Sequence, residues 1–188
     1  MRASRLIARA GLLALLTMLA LVVHETGHFL VYWSAGVPVR ITLQSVHAAG
    51  PVAPDVDRWA LLAGPVMSCM AAAGCLVAAR AWPGFLWSSA AFTNATIRLF
   101  PLVMDVIRAI SGDAPFSDEG NVVLSWTSSP AIRVLLLSPA LLVCVALTVL
   151  AVRSYRFPNR AALRSIGIYL FTLVIGICIL IADELLHR

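Results

Sequence analysis

The sequence contains no lysine, and all 14 of its basic residues are arginine. Charged residues of any kind are scarce, at 12% of 188 residues, whereas soluble domains have about a quarter. Hydrophobic residues make up 61%, and the mean hydropathy is +0.92. This composition excludes an ordinary soluble domain and leaves too little polar chain for a second folded unit. We therefore predict a single integral-membrane domain over residues 1–188, in contact with the lipid bilayer.

The sequence also lacks a CxxC pair. Its four cysteines all fall within apolar runs: Cys69, Cys75, Cys144 and Cys178. They are interpreted as small buried hydrophobic residues, so they give no indication of the redox compartment. The formal charge of +5 is carried by arginine alone and indicates membrane orientation rather than nucleic-acid binding, so no nucleic-acid partner is predicted.

Long apolar runs, in contrast, are abundant. About 20 apolar residues span a bilayer core. By this measure the chain has five spans, at roughly 10–33, 59–80, 84–107, 131–152 and 162–182. The first run follows three arginines, like a secretory signal peptide, but it is too long and has no small-residue cleavage site. The predicted fold is therefore an all-α polytopic membrane protein with about five transmembrane helices, the first being a retained signal anchor.

The loop arginines predict an orientation. If the N-terminus is cytoplasmic, eight arginines lie in cytoplasmic segments and five lie on the opposite side. Most of this bias comes from the segment 153–164, and positive charge favours the cytoplasmic side. We therefore predict a multi-pass protein of the cell (inner) membrane with a cytoplasmic N-terminus.

The first apolar run contains the motif His24-Glu25-Thr26-Gly27-His28. Residues four apart share one face of a helix, so His24 and His28 can direct their imidazoles at one metal ion. Glu25 lies on the adjacent face, where it can take a proton from an attacking water. Zinc hydrolases use this arrangement, so the motif predicts a Zn²⁺ site with two histidine ligands and Glu25 as the catalytic residue.

A catalytic zinc normally has three protein ligands. Two aspartates lie on the same membrane side as the motif, and either can supply the third. Asp118 is slightly favoured, because it follows a flexible Gly-Asp-Ala-Pro break. Its alternative role is to cap a helix. Asp105 is the rival ligand, and its alternative role is a salt bridge to Arg98 or Arg108.

The third span contains two polar residues one turn apart, Asn94 and Arg98. Intramembrane charges are costly and usually face a cavity or a partner. Both residues are therefore candidates for orienting a metal ligand or stabilising an oxyanion. The alternative for Arg98 is a carboxylate partner that serves packing alone.

The loop after the first span also carries a pattern. The segment 37–46 alternates apolar and polar residues, which predicts a short strand. Ala49-Gly50-Pro51 predicts a turn, and Val52 can begin a return strand. The resulting hairpin or loop is predicted to be membrane-associated. It either offers a free strand edge that pairs with an unwound substrate segment, or it is an interfacial loop without substrate contact.

These features resemble the site-2 protease family of intramembrane zinc metalloproteases. The resemblance rests on HETGH in a membrane helix, Ala63-Gly64-Pro65 in the next span, and an aspartate beyond a proline-containing third span. It implies a catalytic core at about 10–125, with accessory helices at about 131–182. It also implies hydrolysis of peptide bonds within or next to transmembrane segments, the substrate being a single-span membrane protein or a signal-peptide remnant.

The third-ligand segment departs from that family's N-x-x-P-x-x-x-x-[LM]-D-G pattern. Arg98 replaces the asparagine, one residue is missing after Pro101, and no glycine follows Asp105. The segment 117–120, Ser-Asp-Glu-Gly, resembles a variant with a Ser-Asp-Gly-like stretch in that place. The departure supports a second hypothesis, a non-proteolytic membrane zinc-binding sensor or chaperone subunit that retains the protease fold.

Overall fold

A computed structural model describes residues 2–42 and 45–155, together with Gly167. Its elements in chain order are α1 (Arg2–Ser34), β1 (Val39–Ile41), β2 (Val46–Ala48), α2 (Pro54–Ala81), α3 (Phe85–Ser111), α4 (Asp118–Trp126) and α5 (Pro130–Ser154). The predicted fold class, an all-α polytopic membrane protein with a small hairpin after the first helix, is confirmed. The predicted span at 162–182 lies outside the described residues.

Four of the helices, α1, α2, α3 and α5, are long and apolar enough to cross a membrane. They correspond to the first four predicted spans. Helix α3 is the central one, because it packs against α1, α2 and α5 and because every residue from 88 to 96 is buried. The polar residues of the third span are therefore surrounded by protein rather than by lipid.

Tryptophan side chains mark the two ends of the helix bundle. Trp33, Trp59 and Trp126 lie at the end that carries the hairpin and α4, and each is more than half exposed. Trp82 and Trp87 lie at the opposite end, where their rings contact each other. Tryptophan is enriched where a membrane meets water, so these two groups fit the borders of the apolar layer.

The hairpin forms earlier in the chain than the predicted turn. Strands β1 and β2 pair antiparallel, with Arg40 opposite His47. The chain reverses between Thr42 and Ser45, where the Thr42 N–H donates to the Ser45 carbonyl at 2.9 Å and the two hydroxyls lie 2.8 Å apart. The predicted strand over 37–46 and turn at Ala49–Pro51 are therefore wrong in position, because a polar pair closes the reversal within the predicted strand.

The hairpin is attached to the bundle through β2. Val46 is buried and packs in one apolar cluster with Tyr32 of α1 and Ala60 of α2. Its side chain therefore fixes β2 above the last turns of α1. These are the turns that follow the histidine motif.

The short helix α4 completes the same end of the molecule. Ser117 is its N-cap, and the Ser117 hydroxyl accepts a hydrogen bond from the Gly120 N–H at 3.3 Å. The helix packs against α2 and α5. This packing directs the first turn of α4, which begins with Asp118, toward the centre of the bundle.

Candidate metal centre

The backbones of α1 and α2 come into direct contact at the histidine motif. A Cβ atom added to Gly27 would lie 2.8 Å from the Cα of Gly64, closer than real Cβ contacts. A Cβ on Gly64 would meet both imidazole rings, with 2.7 Å to Cε1 of His24. The two glycines therefore let the helices approach, and the missing side chain of Gly64 leaves the space that the rings of His24 and His28 occupy.

The two histidines face each other in this space. Their Nε2 atoms are 3.1 Å apart, and the rings meet edge to face at an interplanar angle of 87°. Both residues are buried, at 5% exposure each. The four-residue spacing thus brings both Nε2 atoms to one point inside the bundle.

The other ring nitrogens have partners on α2. Nδ1 of His28 lies 2.7 Å from the Ala60 carbonyl, which can only accept, so Nδ1 carries the proton. The lone pair of His28 Nε2 is then available to a metal. Nδ1 of His24 lies 3.3 Å from the Ser68 hydroxyl. These outer partners orient the rings in the way that metal-binding histidines are usually held.

Asp118 supplies the third donor atom. Its Oδ2 lies 3.1 Å from Nε2 of His24 and 3.6 Å from Nε2 of His28. A tetrahedral zinc ion with ligands at about 2.0–2.1 Å requires ligand atoms about 3.3–3.4 Å apart. The observed separations of 3.1, 3.1 and 3.6 Å bracket this value. Donor types and spacing therefore both fit a metal ion, which His24, His28 and Asp118 could hold.

The electrostatics of Asp118 suit a metal ligand. Burial raises the pKa of its carboxyl, but the close contacts with His24 and His28 and the charge of Arg98 outweigh burial. The net effect holds the pKa of Asp118 well below its ordinary value. The carboxylate is therefore ionised at neutral pH, as metal binding requires.

The rival ligand, Asp105, is used differently. It is fully buried, and its carboxylate accepts hydrogen bonds from the Phe116 N–H, the Ser117 N–H and the Ser117 hydroxyl. A Cβ on Gly120 would also collide with this carboxylate. Asp105 thus anchors the chain just before α4 and sets the position from which Asp118 reaches the histidines.

Glu25 lies beside the histidine pair and contacts the hairpin. Its Oε2 accepts a hydrogen bond from the Val46 N–H at 2.8 Å. This N–H points away from β1, since the reversal bonds of the hairpin are made by the neighbouring residues. The outer edge of β2 therefore faces the carboxylate that the sequence predicted as the catalytic group.

Arg98 is brought to the same site from α3. It forms a buried ion pair with Glu119, and its Nη1 lies 3.4 Å from Nε2 of His24. Its Nη2 is 3.7 Å from Oδ2 of Asp118. Glu119 was not predicted from the sequence. The signal that points to it is the unbalanced arginine of the third span, since a charge inside a membrane needs a partner of opposite sign.

Asn94 is directed to its own helix. Its Nδ2 donates to the Ala90 carbonyl at 2.9 Å. Its Oδ1 is buried without a hydrogen-bond partner within the described ranges. Of the two polar residues predicted in the third span, the structure places only Arg98 in contact with His24 and Asp118.

Substitution of Asp118 and of Asp105 tests which of the two aspartates binds the metal and which only holds the segment before α4. We expect Asp118→Asn to lower zinc affinity by at least about 100-fold, because it removes a charged donor atom. Asp105→Asn leaves every donor in place and only loosens the segment before α4, so a decrease of about tenfold is expected, as for outer-shell residues. Zinc dissociation constants measured by competition with a chromophoric chelator test this ranking. The reverse ranking would assign the third ligand to Asp105.

The comparisons with known proteins identify no relative. None of the protein-family models, curated proteins or solved structures compared with this chain matches it. Function is therefore inferred from the residues of the site and from their geometry.

Proposed function

We propose that this chain is a zinc-dependent intramembrane endopeptidase of the site-2 protease type, which hydrolyses peptide bonds within or next to transmembrane segments. The observation that carries the proposal is the convergence of His24, His28 and Asp118 inside a bundle of apolar helices, with Glu25 on the adjacent face. The proposed substrates are single-span membrane proteins or signal-peptide remnants. The arginine distribution supports an inner-membrane location with a cytoplasmic N-terminus.

Each group of the site has a part in this hydrolysis. Bound zinc supplies polarisation of a carbonyl oxygen and a lowered pKa for water. Glu25 takes a proton from the attacking water, whose oxygen bonds to the carbonyl carbon, and transfers that proton to the leaving amine as the C–N bond breaks. The Val46 N–H orients Glu25 through the bond to its Oε2. The products are a carboxylate and an amine.

Arg98 is the group that we assign to stabilise the negative charge that develops on the carbonyl oxygen. Its Nη1 lies 3.4 Å from Nε2 of His24, whereas the Asn94 amide bonds to its own helix. A fixed cation in a water-poor site is an effective partner for such an oxyanion. Of the two predicted candidates, Arg98 is therefore the one we retain for this role.

The hairpin offers a place for an extended substrate. A transmembrane helix hides its carbonyls in internal hydrogen bonds, so a substrate must unwind before attack. The outer edge of β2 faces Glu25 at Val46 and presents backbone groups for pairing. A substrate segment paired there would lie next to the proposed catalytic group.

Cleavage by the purified protein in liposomes tests the proposal. A panel of single-span substrates is incubated with the protein, and new termini are mapped by mass spectrometry. We expect cuts within or next to the span that stop when 1,10-phenanthroline removes zinc and resume when zinc is returned. Proline next to the scissile bond should slow cleavage if main-chain pairing contributes, because proline lacks an N–H. Cleavage that persists with the chelator would contradict the proposal.

A second candidate is a non-proteolytic zinc-binding sensor or chaperone subunit. It is favoured by the engagement of Glu25, whose carboxylate is bonded to the hairpin backbone, and by Arg98 in place of the family's asparagine. This candidate predicts stoichiometric zinc binding without cleavage of any substrate in the panel. The liposome assay distinguishes the two functions directly.

A further inference from the structure

Glu119 is a buried carboxylate that the mechanism above does not use. It directly follows Asp118 in the first turn of α4, and only 7% of it is exposed. Its two oxygens contact the guanidinium of Arg98 at two points, Nε to Oε1 at 3.3 Å and Nη2 to Oε2. A two-point contact fixes the plane of a guanidinium as well as its position.

The direction of Arg98 follows from this contact. Because Nε and Nη2 face Glu119, Nη1 is left to point toward Nε2 of His24, 3.4 Å away. His24 Nε2 is one of the three atoms that converge on the proposed metal position. The arginine therefore reaches the site in one orientation, and Glu119 sets it.

The positive charge of Arg98 opposes metal binding at this site, and the negative charge of Glu119 offsets it. A cation within 4 Å of two metal-binding side chains repels a divalent cation, and water screens this repulsion little in a buried site. The carboxylate of Glu119 makes the pair neutral. Because its charge is paired with Glu119, Arg98 would repel a zinc ion bound at this site only weakly.

We propose that Glu119 is a positioning residue, which neutralises and aims Arg98 so that a cation can serve the reaction beside a bound zinc ion. The part concerning the reaction rests on the proposed protease function, whereas the part concerning zinc affinity does not. A purely structural link between α3 and α4 would also need an ion pair. Such a link would not, however, make zinc affinity depend on which member of the pair is removed, that is, on whether a positive or a negative charge stays unpaired beside the histidines.

Zinc affinity of three variants tests the proposal, measured on the full-length protein in detergent by chelator competition. Glu119→Gln leaves an uncompensated arginine, so we expect the zinc dissociation constant to rise about 10- to 100-fold. Arg98→Gln/Glu119→Gln removes both charges with little change in volume, and most of the affinity should return. The single variant Arg98→Gln should bind zinc at least as tightly as the parent protein.

Arg133→Gln is the matched control. Arg133 is another buried arginine, in α5, whose Nη2 donates to the Asp113 carbonyl at 2.9 Å. Its loss perturbs the bundle without changing the charge beside the histidines, so zinc affinity should stay at the parent value. The absorption spectrum of the Co²⁺-loaded variants, which is sensitive to ligand geometry, gives a second readout independent of cleavage.

Zinc affinity and cleavage of these variants distinguish the role of Glu119 from the protease function. Unchanged zinc affinity in Glu119→Gln overturns the proposal, and so does a double variant that binds zinc no better than Glu119→Gln. If affinity returns in the double variant while cleavage does not, Glu119 acts through charge and Arg98 takes part in the reaction. If the parent protein cleaves nothing but the affinity pattern holds, the protease function fails and the electrostatic role of Glu119 stands.

Discussion

Replacing Glu25 by glutamine is expected to abolish proteolysis while zinc remains bound. Glutamine has nearly the same shape and can still accept a hydrogen bond from the Val46 N–H, so the hairpin contact survives. It cannot accept a proton from water. Loss of a general base lowers rates by about 10²- to 10⁴-fold. Cleavage rates of a liposome-reconstituted substrate, measured beside zinc content, provide the test.

The comparison variant is His24→Ala. It removes a donor atom from the centre, so both zinc and cleavage should be lost, whereas Glu25→Gln should lose only cleavage. This difference separates a ligand from a proton carrier. A Glu25→Gln protein that cleaves at the parent rate would refute the role assigned to Glu25.

The features that the sequence predicts correctly, the histidine pair and the first four membrane-spanning helices, depend on local patterns in the chain. The facing of His24 and His28 depends only on the four-residue repeat of a helix, and the membrane-spanning helices depend on run length and composition. Both features are local. They are therefore readable without knowledge of how the helices pack, and the structure agrees with the first four spans.

The remaining parts of the site depend on packing between distant segments. The sequence favours Asp118 only slightly over Asp105, and what separates them is α4, whose N-cap at Ser117 is itself held by Asp105. The partnership of Arg98 with Glu119 likewise joins α3 to α4. No periodicity in the sequence encodes such cross-element contacts.

The hairpin shows how a local pattern misleads. The alternation over 37–46 predicts one strand where the chain forms two. The hydroxyls of Thr42 and Ser45 close the reversal, and the position of Thr42 in the alternation looks like the outer face of a strand. Side chains that close a turn and side chains that face water have the same polarity.

Gly64→Ala is expected to remove the metal site without touching any of its donors. A single methyl group at this position would collide with Nε2 and Cε1 of His28 and would lie 2.7 Å from Cε1 of His24. The added methyl group fits only if the imidazole rings rotate or if α1 and α2 move apart. Either movement takes the rings of His24 and His28 away from Asp118. We expect zinc affinity to fall by at least about 100-fold, beyond the usual effect of an outer-shell change.

The control is Gly74→Ala in the same helix. A Cβ at Gly74 meets no atom of the described residues within 4 Å, so this variant gains helix propensity without a clash there. We expect its stability to rise by up to about 1 kcal/mol, whereas overpacking in Gly64→Ala costs about 1–3 kcal/mol. Zinc binding and thermal unfolding of the two variants, measured in one detergent, compare the same chemical change at two positions. Parent-like zinc affinity in Gly64→Ala would mean that the imidazoles do not meet where the missing side chain leaves room for them.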